Sequence, residues 1–107
     1  MKHEQAKAVS GVLKALSHPS RLLAVEALAG GVKRAVDLAR LTNVGQSTMS
    51  RHLAVLVQVG VVQEHKKGRR VVYRLGQPSI LKCLDCARCV LKAYELRIRK
   101  ALRGVRA

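Results

Sequence analysis

The sequence has no phenylalanine, no tryptophan and only two tyrosines among its 107 residues. Its hydrophobic core must therefore consist mainly of leucine, valine and alanine side chains packed between helices. Proteins that bind RNA or single-stranded DNA often stack bases on exposed aromatic side chains. The scarcity of aromatic residues disfavours such partners and makes duplex DNA the better match for a chain that binds nucleic acid.

Acidic residues are also scarce, since six Asp and Glu residues stand against 21 Lys and Arg residues, for a formal net charge of +15. This excess favours a polyanionic partner, most often nucleic acid. A solvated basic surface or an acidic membrane surface is the alternative. The sequence contains no nucleotide-binding loop and no evident nucleophile–base pair. We therefore expect neither an enzyme nor an organic cofactor.

Long apolar runs are absent too. No run approaches the roughly 18 residues that span a bilayer, and the N-terminal sequence "MKHEQAKAVSG" lacks the apolar segment of a signal peptide. We expect a cytoplasmic protein with no membrane partner and with reduced thiols. A chain of this length is predicted to form one domain over residues 1–107. A monomer this small would gain from a core shared in a dimer.

Apolar residues recur at helical spacing in the first half of the chain. This pattern predicts four helices, over residues 3–16, 19–29, about 34–41 and about 46–59. Pro19 suits the first turn of the second helix, with Ser17 or His18 near its cap. The third and fourth helices are joined by the short segment "TNVGQS". Two helices with such a turn between them are typical of a helix-turn-helix, whose second helix enters the major groove of DNA.

The N-terminal half of this recognition helix carries small, polar and basic residues. The predicted DNA-binding residues are Gln46, Ser47, Thr48, Ser50, Arg51 and His52. Ser50 and His52 are expected to contact phosphate or to pack, and the other four to read bases. Arg51 is the strongest candidate for reading guanine.

The spacing of apolar residues changes to two after Gly60. The segments "VVQEH" and "VVYRL" read as strands, with Gly68 in the turn between them. A hairpin that follows a helix-turn-helix is a wing, and this one carries four cations at its tip, namely Lys66, Lys67, Arg69 and Arg70. We expect this wing tip to contact phosphates and to add affinity rather than sequence choice. A solvated hairpin is the alternative.

The last part of the chain, from Pro78 to about Arg103, is predicted to be one long helix. Apolar residues recur along it at alternating spacings of four and three, at Ile80, Leu84, Ala87, Leu91, Tyr94, Ile98 and Ala101. This apolar seam has heptad spacing and favours packing on a helix of a second subunit. The sequence therefore predicts a mainly α fold with a small β-hairpin, a winged helix-turn-helix.

Two segments resemble the ArsR/SmtB family of bacterial repressors: "LKALSHPSRLLAVEALAGG" and "DLARLTNVGQSTMSRHLAVLVQVGVVQEHKKGRRVVYRL". The resemblance covers about residues 9–76, and its most specific piece is "QSTMSRHLAVLVQVGVV". It implies a homodimeric winged-helix repressor whose first and last helices form the dimer interface. It also implies an inducer that weakens binding to operator DNA.

Two effector sites of this family do not match the sequence. Many arsenic, cadmium and lead sensors carry a cysteine pair where this chain has Arg34 and Val36, and Asp37 alone is no metal site. The zinc and nickel sensors use Asp and His residues on the last helix, which here contains no histidine. The four histidines are isolated and are expected to cap, to pack or to lie at the surface. They are His3, His18, His52 and His65.

The remaining candidate is the segment "LKCLDCARCVL", which holds a cysteine cluster of Cys83, Cys86 and Cys89. Successive helical residues turn by about 100°, so the cysteines wind away from the apolar seam. This position argues against the alternative that they are small buried hydrophobic residues. Thiolates bind soft acceptors, and trivalent arsenic or antimony takes three sulfurs. We therefore expect As(III) or Sb(III) as the effector, with cadmium or lead as an alternative.

The spacing of the cysteines limits how they can bind. On a straight helix Cys83 and Cys89 lie about 9 Å apart along the axis, whereas each neighbouring pair is within reach of one ion. All three converge only if the first helical turn is irregular or if the second subunit supplies a thiolate. A switch based on thiol oxidation or on reactive sulfur is the rival hypothesis, although a disulfide within one helix is strained. The third hypothesis is a DNA-binding protein without an effector.

Overall fold

The computed structural model of the protein describes the backbone of residues 1–106 and the side chains of residues 1–104. Its elements follow the order α1 (His3–Leu16), α2 (Pro19–Leu28), α3 (Ala35–Thr42), α4 (Gln46–Gln58), β1 (Val62–Lys67), β2 (Arg70–Leu75) and α5 (Ile80–Arg106). The predicted mainly α fold with a small β-hairpin is confirmed. The last helix begins at Ile80, two residues after the predicted start.

Local signals explain where α2 begins and where α3 ends. Pro19 occupies the first turn of α2, and the Nδ1 atom of His18 caps that helix by accepting from the Ser20 backbone N–H at 3.1 Å. Asn43 ends α3 in the left-handed conformation, with φ of 54°. The following N–H of Val44 donates to the Ala39 carbonyl at 3.0 Å, which closes the turn of the helix-turn-helix.

The core lies between α2, α3, α4 and the start of β1. Met49, Leu53 and Leu56 of α4 are fully buried, as their helical spacing predicts. The core cluster consists of Leu16, Ala24, Val25, Leu28, Leu38, Ala39, Met49, Leu53, Leu56, Val61 and Val62. These aliphatic side chains hold the recognition helix against α2 and α3, so its position depends on their packing.

The hairpin is an antiparallel pair in which Val62 lies opposite Leu75 and Lys67 lies opposite Arg70. Gly68 in its turn has φ of 63°, which favours glycine. A further bridge joins the wing to the loop before α3. The Lys33 N–H donates to the Tyr73 carbonyl at 3.0 Å, and the Tyr73 N–H donates back to Lys33 at 2.7 Å. The wing is therefore anchored to the helix-turn-helix.

Gly76 forms the junction between the wing and α5. Its N–H donates to the Val61 carbonyl at 2.9 Å, and a Cβ atom there would overlap the Gly60 carbonyl oxygen.

We expect Gly76→Ala to lower the free energy of unfolding by about 1–3 kcal/mol, measured by urea denaturation. Gly11→Ala is the control, because a Cβ atom at Gly11 meets open space in a helix interior. That change should stabilise by roughly 0.5–1 kcal/mol, and an equal loss from both would contradict the clash.

Helix α5 extends well beyond the core. Ile80, Leu81 and Leu84 pack against the core, whereas every side chain from Asp85 to Gly104 is exposed. The Cα radius of gyration is 17.2 Å, against about 13 Å for a compact chain of this length. The apolar seam beyond Leu84 is therefore uncovered in a single chain.

Candidate nucleic-acid interface and cysteine cluster

The N-terminal turns of α4 present the predicted DNA-binding residues. Four of these side chains are exposed, and Thr48 is half-buried; the exposed four are Gln46, Ser47, Ser50 and Arg51. The N-cap residue Gly45 offers no side-chain cap, so the first backbone N–H groups of α4 are left to donate to other partners. DNA phosphates are suitable acceptors for such groups.

His52 is the exception among the predicted residues. Its side chain is only 8% exposed, and its Nδ1 atom accepts a hydrogen bond from Arg21 Nε at 3.1 Å. Its ring also lies 4.4 Å from the ring of His18, centroid to centroid. Of the two roles predicted for His52, contact with phosphate or packing, the structure shows packing.

Arg21 of α2 forms hydrogen bonds with two further helices, α4 and α1. Besides His52 of α4, its Nη1 atom donates to the Ala15 carbonyl at the end of α1, at 3.1 Å. We call His18, Arg21 and His52 the polar joint. Burial lowers the pKa of His52 below its ordinary value of 6.5, and the positive charges of the joint and of Arg51 act in the same direction. The contact between Arg21 and His52 was not predicted from the sequence.

The wing tip is fully exposed. All four of its cations lie at the surface, and in the part of the chain that the structure describes none of them forms an ion pair. Further along the hairpin, Arg74 Nε donates to Gln63 Oε1 at 3.0 Å. The tip is thus a dense cluster of positive charge, which suits contact with phosphates.

Asp37 has a structural role at the start of α3. Its Oδ2 atom accepts from the Arg34 backbone N–H at 3.4 Å and from Arg34 Nε at 3.3 Å. The hydrogen bond from the Arg34 side chain lowers the pKa of Asp37. The carboxylate therefore helps to begin helix α3.

The three cysteines are free and exposed. Within the described residues, no three His, Cys, Asp or Glu side chains lie close enough together to hold a metal ion. Since α5 is continuous from Ile80, the irregular first turn that would bring the cysteines together is not observed. Cys83 borders a shallow groove of about 240 Å³ that Val12 of α1 also lines.

Arg88 lies between Cys86 and Cys89 in sequence and links α5 to α2. Its guanidinium forms an ion pair with Glu26 of α2 and a second with Asp85, at 2.7 Å. All three side chains are more than half exposed. Only the pair with Glu26 joins two helices. Both pairs add little stability, because exposed ion pairs contribute only about 0–1 kcal/mol.

The helix-turn-helix, the anchored wing and the unpaired cations together define a winged helix-turn-helix DNA-binding protein. Residues 18–64 match the arsR family of bacterial regulatory proteins. The chain is 36% identical over 92 residues to the biofilm growth-associated repressor of Xylella fastidiosa, covering 86% of this chain and 81% of that repressor. The chain belongs to the arsR family and is a DNA-binding transcriptional regulator.

Two further proteins are similar to this chain. The cadmium resistance transcriptional regulatory protein CadC of Listeria innocua is 37% identical over 78 residues, which cover 72% of this chain and 66% of that protein. The homodimeric winged helix-turn-helix DNA-binding domain of a possible ArsR-family regulator from Mycobacterium bovis has a TM-score of 0.74 and 25% identity. The similarity covers 88% of this chain and 90% of that domain. Within residues 1–106, no helix is long and apolar enough to cross a membrane.

Proposed function

We propose that the chain is a homodimeric repressor that releases its operator when a trivalent metalloid, arsenite or antimonite, binds thiolates of the cysteine cluster. The observation that carries this proposal is the position of all three cysteines of the chain on one exposed segment of α5. Repression is supported by the similar repressor of Xylella fastidiosa.

The dimer is proposed to form through α1 and α5. The uncovered apolar seam continues along α5 through Leu91, Tyr94 and Ile98, and Leu13 of α1 is also half exposed. Burial of apolar surface is favourable by about 25 cal/mol per Å², so a partner helix would stabilise this surface. The similar domain from Mycobacterium bovis is homodimeric.

The positions of the thiols determine how a metalloid would bind. Cys83 and Cys86, and likewise Cys86 and Cys89, are three residues apart and therefore neighbours on the helix surface. A third sulfur must come from a distorted turn of α5 or from the partner subunit, because Cys83 and Cys89 are separated by about 9 Å along the axis. Binding of three thiolates would therefore change either the first turns of α5 or the arrangement of the two subunits.

Such a change has a route to the DNA-binding surface. The first turns of α5 pack on the core through Ile80 and Leu84, and Arg88 contacts Glu26 of α2. Helix α2 in turn contacts the recognition helix through Arg21. The recognition helices of a dimer must match major grooves about 34 Å apart, so a small change of their separation weakens binding.

We expect arsenite or antimonite at stoichiometric concentration to weaken DNA binding about 5- to 150-fold. The measurement is fluorescence anisotropy of reduced protein on labelled duplex DNA from upstream of its own gene. Cys86→Ser should abolish the response, because Cys86 belongs to both thiol pairs. Ala93→Ser, which adds the same hydroxyl one heptad later on the exposed part of α5, should respond like the unmodified protein. A full response from Cys86→Ser would overturn the proposal.

A second candidate function is a response to oxidation or reactive sulfur instead of a metalloid. It is supported by the absence, among the described residues, of a preformed group of side chains that could hold a metal ion. Exposed thiols on α5 suit a repressor that responds to oxidant or reactive sulfur, and the similarity to a cadmium resistance regulator keeps cadmium or lead as another effector. The same sample is therefore treated with polysulfide, peroxide, Cd(II) or Pb(II) if the metalloid has no effect. Release by one of them identifies the effector class, and no release indicates a repressor without a thiol effector.

A further inference from the structure

The polar joint is the buried polar contact of the DNA-binding core. Among the residues whose side chains are described, His52 is the only buried polar or charged one. It lies directly after Arg51 on the recognition helix, and the joint holds that helix to the first turn of α2 and the end of α1. His52 therefore lies where the recognition helix is held to α2 and α1.

The hydrogen bond between Arg21 and His52 requires an unprotonated Nδ1 atom on His52. His52 Nδ1 accepts from Arg21 Nε, and His18 Nδ1 accepts from the Ser20 N–H. A protonated imidazole carries hydrogen on both nitrogens and accepts from neither. His52 accepts this hydrogen bond only while its Nδ1 atom carries no proton, and a proton there would remove the hydrogen bond from Arg21.

The surroundings of His52 would not stabilise an added charge. The charged and titratable groups that act on it are His18 and Arg21, from the start of α2, and Arg51 of its own helix. All of them are basic. From helix α1, the Ala15 carbonyl accepts a hydrogen bond from Arg21. A proton on His52 would thus replace an attractive contact with repulsion between Arg21 and an imidazolium ion.

We infer that the polar joint is a proton-sensitive device that positions the recognition helix: protonation of His52 releases Arg21, shifts α4 and lowers discrimination between specific and non-specific DNA. This effect uses no thiol and is independent of the proposed metalloid response. Because the unfolded chain takes up this proton more readily than the folded one, folding stability also declines as the pH falls below about 6.5.

The test is the ratio of affinities for duplex DNA from upstream of its own gene and for a scrambled duplex, measured between about pH 8 and pH 5.5. An added positive charge would strengthen both affinities, so a fall in the ratio reports the position of the helix. We expect the ratio to fall at least about five-fold on acidification. Reductant is present and metalloid absent, and Cys86→Ser should show the same fall.

His52→Gln keeps an oxygen that accepts from Arg21 but does not titrate, so its ratio should be high and independent of pH. His65→Gln is the control, because His65 lies on the exposed wing strand and its replacement should leave the fall intact. An unchanged fall in His52→Gln, or no fall in the unmodified protein, would overturn the inference. If His52→Gln does not fold, NMR of the unmodified protein decides. The Arg21 Nε–H signal should change as His52 titrates, and a constant signal would also overturn it.

Discussion

Glutamine at all four wing-tip positions is expected to weaken DNA binding roughly 10³-fold at 0.15 M salt. The four side chains are Lys66, Lys67, Arg69 and Arg70, all exposed. A dimer has eight such cations, and the estimate assumes that half of them each contact one phosphate. Four lost contacts also reduce the slope of log affinity against log salt by about 3.6. Anisotropy titrations at several salt concentrations measure both quantities.

A matched set of charges on α5 separates local contact from total charge. Lys92, Arg97, Arg99 and Lys100 are likewise two lysines and two arginines, all exposed, and they lie outside the recognition helix and the wing. Their replacement by glutamine lowers the net charge equally, but we expect only a several-fold loss of affinity and nearly the same salt slope. Equal losses from the two sets would show that net charge, and not the wing, supplies the affinity.

The wing variant should also lose affinity for specific and scrambled DNA by the same factor. Phosphates are the same in every sequence, so contacts to them add affinity without discrimination. A selective loss on specific DNA would place a wing side chain on a base edge. The two DNA sequences therefore test the role of the wing tip as well as its strength.

The fold could be predicted well because its signals are local. Pro19 and Gly68 mark boundaries that their own backbone preferences impose, and the spacing of Met49, Leu53 and Leu56 identifies the buried face of α4. His52 lies three residues after Met49 and four before Leu56, so the same spacing marks it as buried. Because His52 is polar, contact with phosphate was predicted beside packing, and the structure shows packing.

Contacts between distant segments could not be predicted. Arg21 is 31 residues from His52, and nothing local in either segment names the other as its partner. The bridge between Lys33 and Tyr73 is a further example, because backbone hydrogen bonds between a loop and a distant strand leave no pattern of side chains. Such contacts depend on how the helices pack, which periodicity alone does not determine.

Leu91→Glu is expected to dissociate the proposed dimer and to weaken DNA binding about 10²- to 10⁴-fold, the range in which two linked sites exceed one. Leu91 lies on the apolar seam and is 55% exposed in a single chain. A carboxylate there would be buried against the partner subunit without a hydrogen-bonding partner, which is strongly unfavourable. The seam would then remain uncovered, and each chain would bind DNA with a single recognition helix.

Leu96→Glu is the matched control for this change, because Leu96 is 56% exposed on the same helix. Five residues of helix separate the two leucines by about 140° around the axis, so Leu96 lies away from the seam. Sedimentation equilibrium should show monomers for Leu91→Glu and dimers for Leu96→Glu. Fluorescence anisotropy should show the weaker DNA binding for Leu91→Glu. The opposite order would place the interface on the other face of α5. The cysteines wind from the edge of the seam toward that face. An interface there would therefore also include the cysteines.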